Sequence, residues 1–208
     1  REGKLSRSRA QFLIGMCNNA SPMFIIGYIS ITQLKLPSIK YALLVIIYAS
    51  AILAALIWRL VYNLSHKKQT EAQINDRPEA AGKSVKSKFS FELLDSCIMN
   101  GFETITRIGG YVILFSILAQ ILKELGGKVG IIKAVGMSLL EITTGISQLC
   151  SLNIGNNAKI VLVAALASFG GLSGIAQTKS VLQDSRLSIS SYIAIKLLNA
   201  LIAGIFSL

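Results

Sequence analysis

The run Ala134-Val135-Gly136-Met137-Ser138-Leu139-Leu140-Glu141-Ile142-Thr143-Thr144-Gly145-Ile146-Ser147-Gln148-Leu149-Cys150-Ser151-Leu152 carries a single charge, Glu141, between Lys133 and Lys159. The next apolar run is interrupted at its centre by Ser168-Phe169-Gly170-Gly171-Leu172-Ser173-Gly174. A carboxylate at the centre of a membrane helix costs about 2.5–3.5 kcal/mol on insertion scales, so it faces a cavity or a partner and marks a functional site by default. Small-residue, irregular backbone at that depth is tolerated only where protein or a water-filled cavity surrounds it. Together the two features predict a polar site buried in a membrane.

Composition agrees. The 208 residues are 52% hydrophobic and 15% charged, with a mean hydropathy of +0.60, whereas a soluble domain carries about 25% charged residues. The expected fold class is all-α: a polytopic membrane protein with about four transmembrane helices, two re-entrant helical hairpins in inverted repeat and one interfacial amphipathic helix. Tyr41 to Leu64 is the clearest span, roughly 35 Å at helical rise against a core of about 30 Å. Tyr41, Trp58 and Tyr62 suit interfacial belts, and Arg59 can snorkel. Gly110 to Leu122 reaches a span of about 18 residues if Arg107 and Lys123 mark the interfaces. Further crossings are expected at Ala134 to Leu152 and at Ile189 to Leu208, with Lys196 pairing inside the bundle.

Two apolar stretches read as re-entrant hairpins. Gln11 to Leu34 holds Cys17-Asn18-Asn19-Ala20-Ser21-Pro22 at its middle, where Pro22 removes a donor and pushes Ser21 out of helical geometry. Ile160 to Leu182 holds the glycine and serine cluster. The two regions repeat at an offset of about 150 residues, with Asn19 against Phe169 and Ser38-Ile39 against Ser188-Ile189. Three crossings between the hairpins, an odd number, make the repeat inverted, the layout in which transporters place a midplane site between discontinuous helices. The alternative is that both interruptions are kinked spans packing through small residues, Gly170 and Gly174 making a G-x-x-x-G contact.

The implied units are 1–64, the end of a first repeat; 65–88, a polar basic linker; and 89–208, a second repeat. The linker carries Lys67, Lys68, Arg77, Lys83, Lys86 and Lys88. Phe89 to Thr106 places Phe91, Leu94, Ile98, Phe102 and Ile105 on one helical face and Glu92, Asp95 and Glu103 on the other, an interfacial pattern with Ser90 as N-cap. The net charge of +11 sits at span ends and in loops, so anionic lipid headgroups are the expected partner and nucleic acid is not. Basic residues divide between the two faces, and the positive-inside rule does not fix orientation. Cys17, Cys97 and Cys150 form neither a disulfide framework nor a zinc motif, and His66 reads as a solvated loop residue. No Walker loop, G-x-S-x-G elbow or Ser/His/Asp set is present, so neither enzyme chemistry nor a cofactor is expected. The chain starts at Arg1 without methionine, and an upstream portion is expected.

Leu140-Glu141-Ile142-Thr143-Thr144-Gly145, Ser168-Phe169-Gly170-Gly171 and Lys196-Leu197-Leu198-Asn199-Ala200-Leu201-Ile202-Ala203-Gly204 resemble the gate, or nucleoside-recognition, module of concentrative nucleoside transporters. Asn18-Asn19-Ala20-Ser21-Pro22-Met23-Phe24-Ile25-Ile26-Gly27 and Glu141 to Gly145 look more like the YlbJ-type sporulation integral membrane proteins of endospore-forming bacteria, which carry two gate modules. The likeness spans nearly the whole chain and implies the C-terminal half of such a protein, in a bacterial cell membrane or a spore-envelope membrane. It aligns Glu141 with the transporter glutamate that hydrogen-bonds substrate ribose. Ser168 stands where the transporters have a tip Asn, Gly171 where they have a Ser and Ala20 where the first hairpin has a Glu, so most sugar and base contacts differ.

The leading expectation is a transport or solute-binding protein whose Glu141 accepts hydrogen bonds from solute hydroxyls or exchanges a proton. Asn18, Asn19, Ser21, Thr143, Thr144, Ser168, Ser173 and Gln177 would supply neutral donors and acceptors, with Na⁺ or H⁺ as coupling ion and a small polar solute or nucleoside as cargo. Against this stand an ion pair of Glu141 with Lys196 or Lys133 that fixes packing, a non-transporting scaffold for spore-envelope assembly, and an anion channel using the basic ends. Oligomeric state is open, a homo-oligomer included.

Overall fold

The computed structural model describes residues 7–66, 90–125, 127, 129–182 and 187–208, and every regular element among them is helical. The expected linker, 65–88, lies outside the described residues apart from its first two, and so do its six basic residues. In chain order come α1 (Arg7–Cys17), a π-helical segment (Phe24–Gln33), a short 3₁₀ turn (Pro37–Ile39), α2 (Lys40–His66), α3 (Phe91–Glu124), α4 (Ile131–Leu140), α5 (Ile142–Ser151), α6 (Asn156–Phe169), α7 (Gly171–Val181) and α8 (Ile189–Phe206). Four stretches are long and apolar enough to cross a bilayer: Pro37–Tyr62, Phe91–Glu124, Asn156–Val181 and Ile189–Phe206. The chain is a multi-pass membrane protein.

The expected crossing at Ala134 to Leu152 is instead a helical hairpin. α4 stops at Leu140, Glu141 is extended (φ −146°, ψ 123°) and α5 starts at Ile142. The two arms pack side by side, each about 15 Å long, half the apolar thickness of a bilayer. Gly145 permits this, because a Cβ there would overlap the backbone N and Cα of Ser138. A break at Glu141 also frees N–H groups to meet its carboxylate. In an uninterrupted helix those donors would be spent on carbonyls and the charge would have no backbone partner.

Conversely, the two stretches read as hairpins are interrupted helices. α1 rests on α2 and α8, whereas the π segment rests on α2 and α5; α6 packs mainly on α8, whereas α7 packs on α3 and α4. Neither pair of arms packs on itself as α4 and α5 do, and the kinked-span alternative describes them better. Pro22 starts the second arm at the first helical position, where a missing N–H is harmless, and Ser21 Oγ accepts from the N–H of Phe24 at 3.2 Å. Gly170 (φ +84°) and Gly171 (φ +70°) end α6 in left-handed conformations that suit glycine. Such residues stop a helix without forcing the chain to reverse.

The expected interfacial helix is not separate. Ser90 caps it as anticipated, accepting from the N–H of Leu93 at 3.1 Å, but α3 then runs unbroken for 34 residues, about 51 Å. Every residue from Phe91 to Arg107 is exposed.

The main core forms where α2 and α6 meet α5 and the π segment, and α8 packs on α2 and α6. Ile25, Ile29, Leu43, Ile47, Ile146, Leu149 and Val163 are wholly buried there, and Ala51, Ala54 and Ala55 are buried along α2, small residues of the kind that let membrane helices approach closely. The order of interrupted helix followed by long span occurs twice, and the two long spans, α2 and α8, pack against each other. Asn19 and Phe169, paired by the 150-residue offset, both lie at the interruptions.

Candidate functional site

Glu141 is 3% exposed and sits at the tip of the α4–α5 hairpin as the N-cap of α5. Oε1 accepts from the N–H of Thr143 at 3.0 Å, and Oε2 accepts from the N–H of Thr144 at 2.8 Å and from the Thr143 hydroxyl. The helix N-terminus thus supplies both directed donors and partial positive charge. Oε1, with one bond made, keeps acceptor capacity for a further donor. The expected ion pair is not formed: among the described residues no cation lies within pairing distance of Glu141, Lys133 donates to the carbonyl of Gly127 at 3.2 Å, and Lys196 donates to Asn19.

The tip faces a cavity of about 460 Å³ bordered by both interruptions, α3, α7 and α8. Of the residues expected at the site, Asn18, Asn19, Glu141, Thr143, Ser173 and Gln177 line it. Thr144, Ser168 and Ser21 do not: Thr144 contributes its N–H to Glu141, Ser168 is buried behind the wall formed by Ala167 and Gly170, and Ser21 is exposed and accepts from the N–H of Phe24. Ile14, Ile108, Val112 and Val181 supply the apolar walls.

The asparagines of the first interruption bridge to the second half of the chain. Asn18 Nδ2 donates to Thr178 Oγ1 at 2.7 Å and to the Tyr192 hydroxyl at 2.8 Å. Asn19 Nδ2 donates to the Met16 carbonyl at 2.6 Å, which leaves Oδ1 to accept from Lys196 Nζ at 2.9 Å. Lys196 is 2% exposed, with Nζ 6.0 Å from the centre of the Tyr192 ring. An ammonium has three donors, so two are left without a protein acceptor among the described residues. On α7, Gln177 Nε2 donates to Ser173 Oγ at 2.9 Å. The hairpin is tied to the π segment by Tyr28, whose hydroxyl donates to the Thr143 carbonyl at 2.7 Å, and the first interruption is tied to α2 by Tyr48, which donates to the Ala20 carbonyl at 3.0 Å.

Lys196, Tyr192 and Thr178 therefore belong to the site, although the sequence marked only Lys196, and that as a partner within the bundle. A buried lysine in an apolar span was the available signal. Nothing in the sequence distinguishes Tyr192 or Thr178 from ordinary helix residues. The described residues hold no group of three His, Cys, Asp or Glu side chains that could bind a metal ion. The cavity instead offers a buried anion and a buried cation, each steadied by neutral groups and not paired with the other.

No family model matches the chain, and no solved structure does. The chain is similar to the sporulation integral membrane protein YlbJ of Bacillus subtilis (strain 168), 20% identical over 235 aligned positions that cover 99% of this chain and 56% of that protein. The chain thus spans about half the length of that relative. The likeness to concentrative nucleoside transporters rests on the residues quoted above alone.

Proposed function

We infer that the chain is a solute-binding unit of a membrane transport protein of the gate type, taking a small polar solute between its interrupted helices. The observation that carries this reading is the cavity with Glu141 and Lys196 both in its lining and both buried. Unpaired buried charges are costly in a packed interior and are kept where something else meets them. A volume of 460 Å³ falls within the range of about 300–1,000 Å³ usual for small-molecule sites. Oε1 of Glu141 can accept from a solute hydroxyl or amide, or take up a proton, while the two open donors of Lys196 suit a carboxylate or another strong acceptor. Asn18, Ser173 and Gln177 add neutral contacts. Nucleosides are one member of this class. The similarity to YlbJ supports a role in spore formation, and no catalytic role is assigned.

The test is a thermal-shift screen of the full-length protein in detergent against nucleosides, nucleobases, and small hydroxylated and carboxylated metabolites, over Na⁺ and pH series. A ligand at about a hundred times its dissociation constant should stabilise by about 2.7 kcal/mol, and Gln177→Ala and Glu141→Gln should lose that response. Glu141→Gln sets an amide NH₂ against the donors of Thr143 and Thr144 and should itself cost about 1 kcal/mol, so Gln177→Ala is the cleaner control. No response from any ligand would sink the transport reading and favour a scaffold for spore-envelope assembly.

A further inference from the structure

A second cavity, of about 280 Å³, opens where the end of α2 meets α1 and the start of α8. It shares no lining residue with the solute cavity. Its walls are tied together. Gln11 Nε2 donates to the Ser188 carbonyl at 3.0 Å, and Gln11 Oε1 accepts from the Ser188 N–H at 2.9 Å, a reciprocal pair that joins α1 to α8. Trp58 packs against Ala54, Ile195 and Ile202. Arg59 lies over the Phe12 ring, its guanidinium carbon 5.4 Å from the ring centre.

Arg59 carries the one charge in this lining. Among the described residues no carboxylate pairs with it. A guanidinium holds five donors in a planar fork that matches the oxygens of a phosphate, and stacking on Phe12 spends none of them. Ser188 Oγ accepts from the N–H of Ser191 at 3.3 Å, and neither serine hydroxyl donates to another described residue. Both therefore keep a donor for an anionic guest.

Depth says what kind of guest fits. Trp58, Arg59 and Tyr62 close the span Pro37–Tyr62, the level at which aromatic belts meet headgroups. Toward the centre of that span, Leu56 and Ile52 lie one and two turns before Arg59 on its side of α2 and are 42% and 47% exposed. The unpaired charge thus stands at the top of an open apolar strip. A free phosphate has no use for such a strip, whereas the acyl chain of a lipid runs along it. Basic pockets between transmembrane helices hold anionic lipid headgroups in this way.

We propose that this cavity is a site for the headgroup of one anionic phospholipid, its phosphate held by Arg59, its polar end by Ser188 and Ser191, and an acyl chain laid along Leu56 and Ile52. A built site of this kind differs from the diffuse attraction between basic span ends and an anionic membrane, because it saturates and depends on one guanidinium. It does not rest on the transport reading.

The experiment follows the thermal midpoint of the full-length protein in detergent through titrations with phosphatidylglycerol, phosphatidylcholine and glycerol 3-phosphate. Phosphatidylglycerol should stabilise saturably, phosphatidylcholine should need at least about tenfold more, and glycerol 3-phosphate should have no effect. Arg59→Gln should need at least about tenfold more phosphatidylglycerol than wild type, equivalent to about 1.4 kcal/mol of binding. Arg59→Lys, which keeps the charge and loses the fork, should fall between them. Ser191→Leu fills the cavity and should abolish the lipid response while keeping the midpoint of the lipid-free protein, so it decides the matter even if Arg59→Gln does not fold. Lys123→Gln, which removes a basic residue at the far end of α3, should respond as wild type does. An unchanged phosphatidylglycerol requirement in Arg59→Gln or Ser191→Leu, or an equal loss in Lys123→Gln, would overturn the proposal in favour of diffuse attraction. Stabilisation by glycerol 3-phosphate that matches the lipid and is lost in Arg59→Gln would overturn it in favour of a site for free phosphate esters.

Discussion

The two interruptions open on the same cavity but are built from opposite materials. At the first, Asn18 and Asn19 cross to α7 and α8 and hold Thr178, Tyr192 and Lys196 in place; the chain breaks ahead of Pro22 and spends its polar side chains on the site. At the second, Gly170 and Gly171 contribute no side chain, and the space left at Gly171 admits the hairpin tip, with Ile142 Cγ2 3.2 Å from the place a Gly171 Cβ would take. One break supplies chemistry and the other supplies room. Substitutions should therefore act differently at each: at the glycine break they should disturb the fold, and at the asparagine break they should disturb charge.

The largest effect is expected where room is tightest. Gly145→Ala sets a Cβ into the backbone of Ser138 and cannot be relieved by rotating a side chain, so the hairpin must separate, at a cost above about 3 kcal/mol. Gly171→Ala follows. Its φ of +70° costs an L-residue about 1–2 kcal/mol, and its Cβ would press on Ile142 and the two α4 carbonyls as well. Gly170→Ala meets open space at φ +84° and should lose only the conformational part, about 1–2 kcal/mol. Thermal midpoints of the three variants in detergent check the order. If Gly170→Ala were as damaging as Gly171→Ala, the tip would not be seated where Gly171 makes room for it.

That ordering also shows why part of this architecture was legible and part was not. The spans around Tyr41–Leu64 and Ile189–Leu208 could be read because apolar length is nearly sufficient in a bilayer. The hairpin was misplaced because its evidence is a matter of competition. Glu141 in an apolar run is equally a mid-span charge or a helix cap, and glutamate is not among the favoured N-caps; what decides is Gly145 fitting against Ser138, a contact between residues seven apart that no periodicity announces. The glycine cluster misled for the converse reason, since positive φ ends a helix whether or not the chain turns back. At the site, Asn18, Asn19, Glu141, Ser173 and Gln177 could be found as polar residues in apolar surroundings. Tyr192 and Thr178 could not, because only the long-range hydrogen bonds from Asn18 give them a role. Phe89 to Thr106 reads as a separate interfacial helix, yet its helical pattern continues into the span without a stop signal, and Gly109 and Gly110 cost a helix too little to end it.

The asparagine break is tested most sharply by cutting one hydrogen bond from its two ends. Asn19→Ala removes the acceptor from a buried ammonium and leaves the charge with the Tyr192 ring alone. Hydrogen bonds to charged groups contribute about 1.5–3 kcal/mol, and a loss in that range is expected. Lys196→Met removes the charge itself, exchanging it for an apolar side chain of similar length. Replacing a buried ion by a well-packed apolar group is often neutral or stabilising, so the midpoint should move by less than about 1 kcal/mol in either direction, while any solute bound through a carboxylate loses its counter-charge. The two variants delete the same 2.9 Å contact and should differ because only one leaves an unmet charge behind. Equal destabilisation by both would mean that Lys196 acts as a packing strut and not as a charge held for a ligand, and the distinction between a break that supplies chemistry and one that supplies room would fail at its strongest residue.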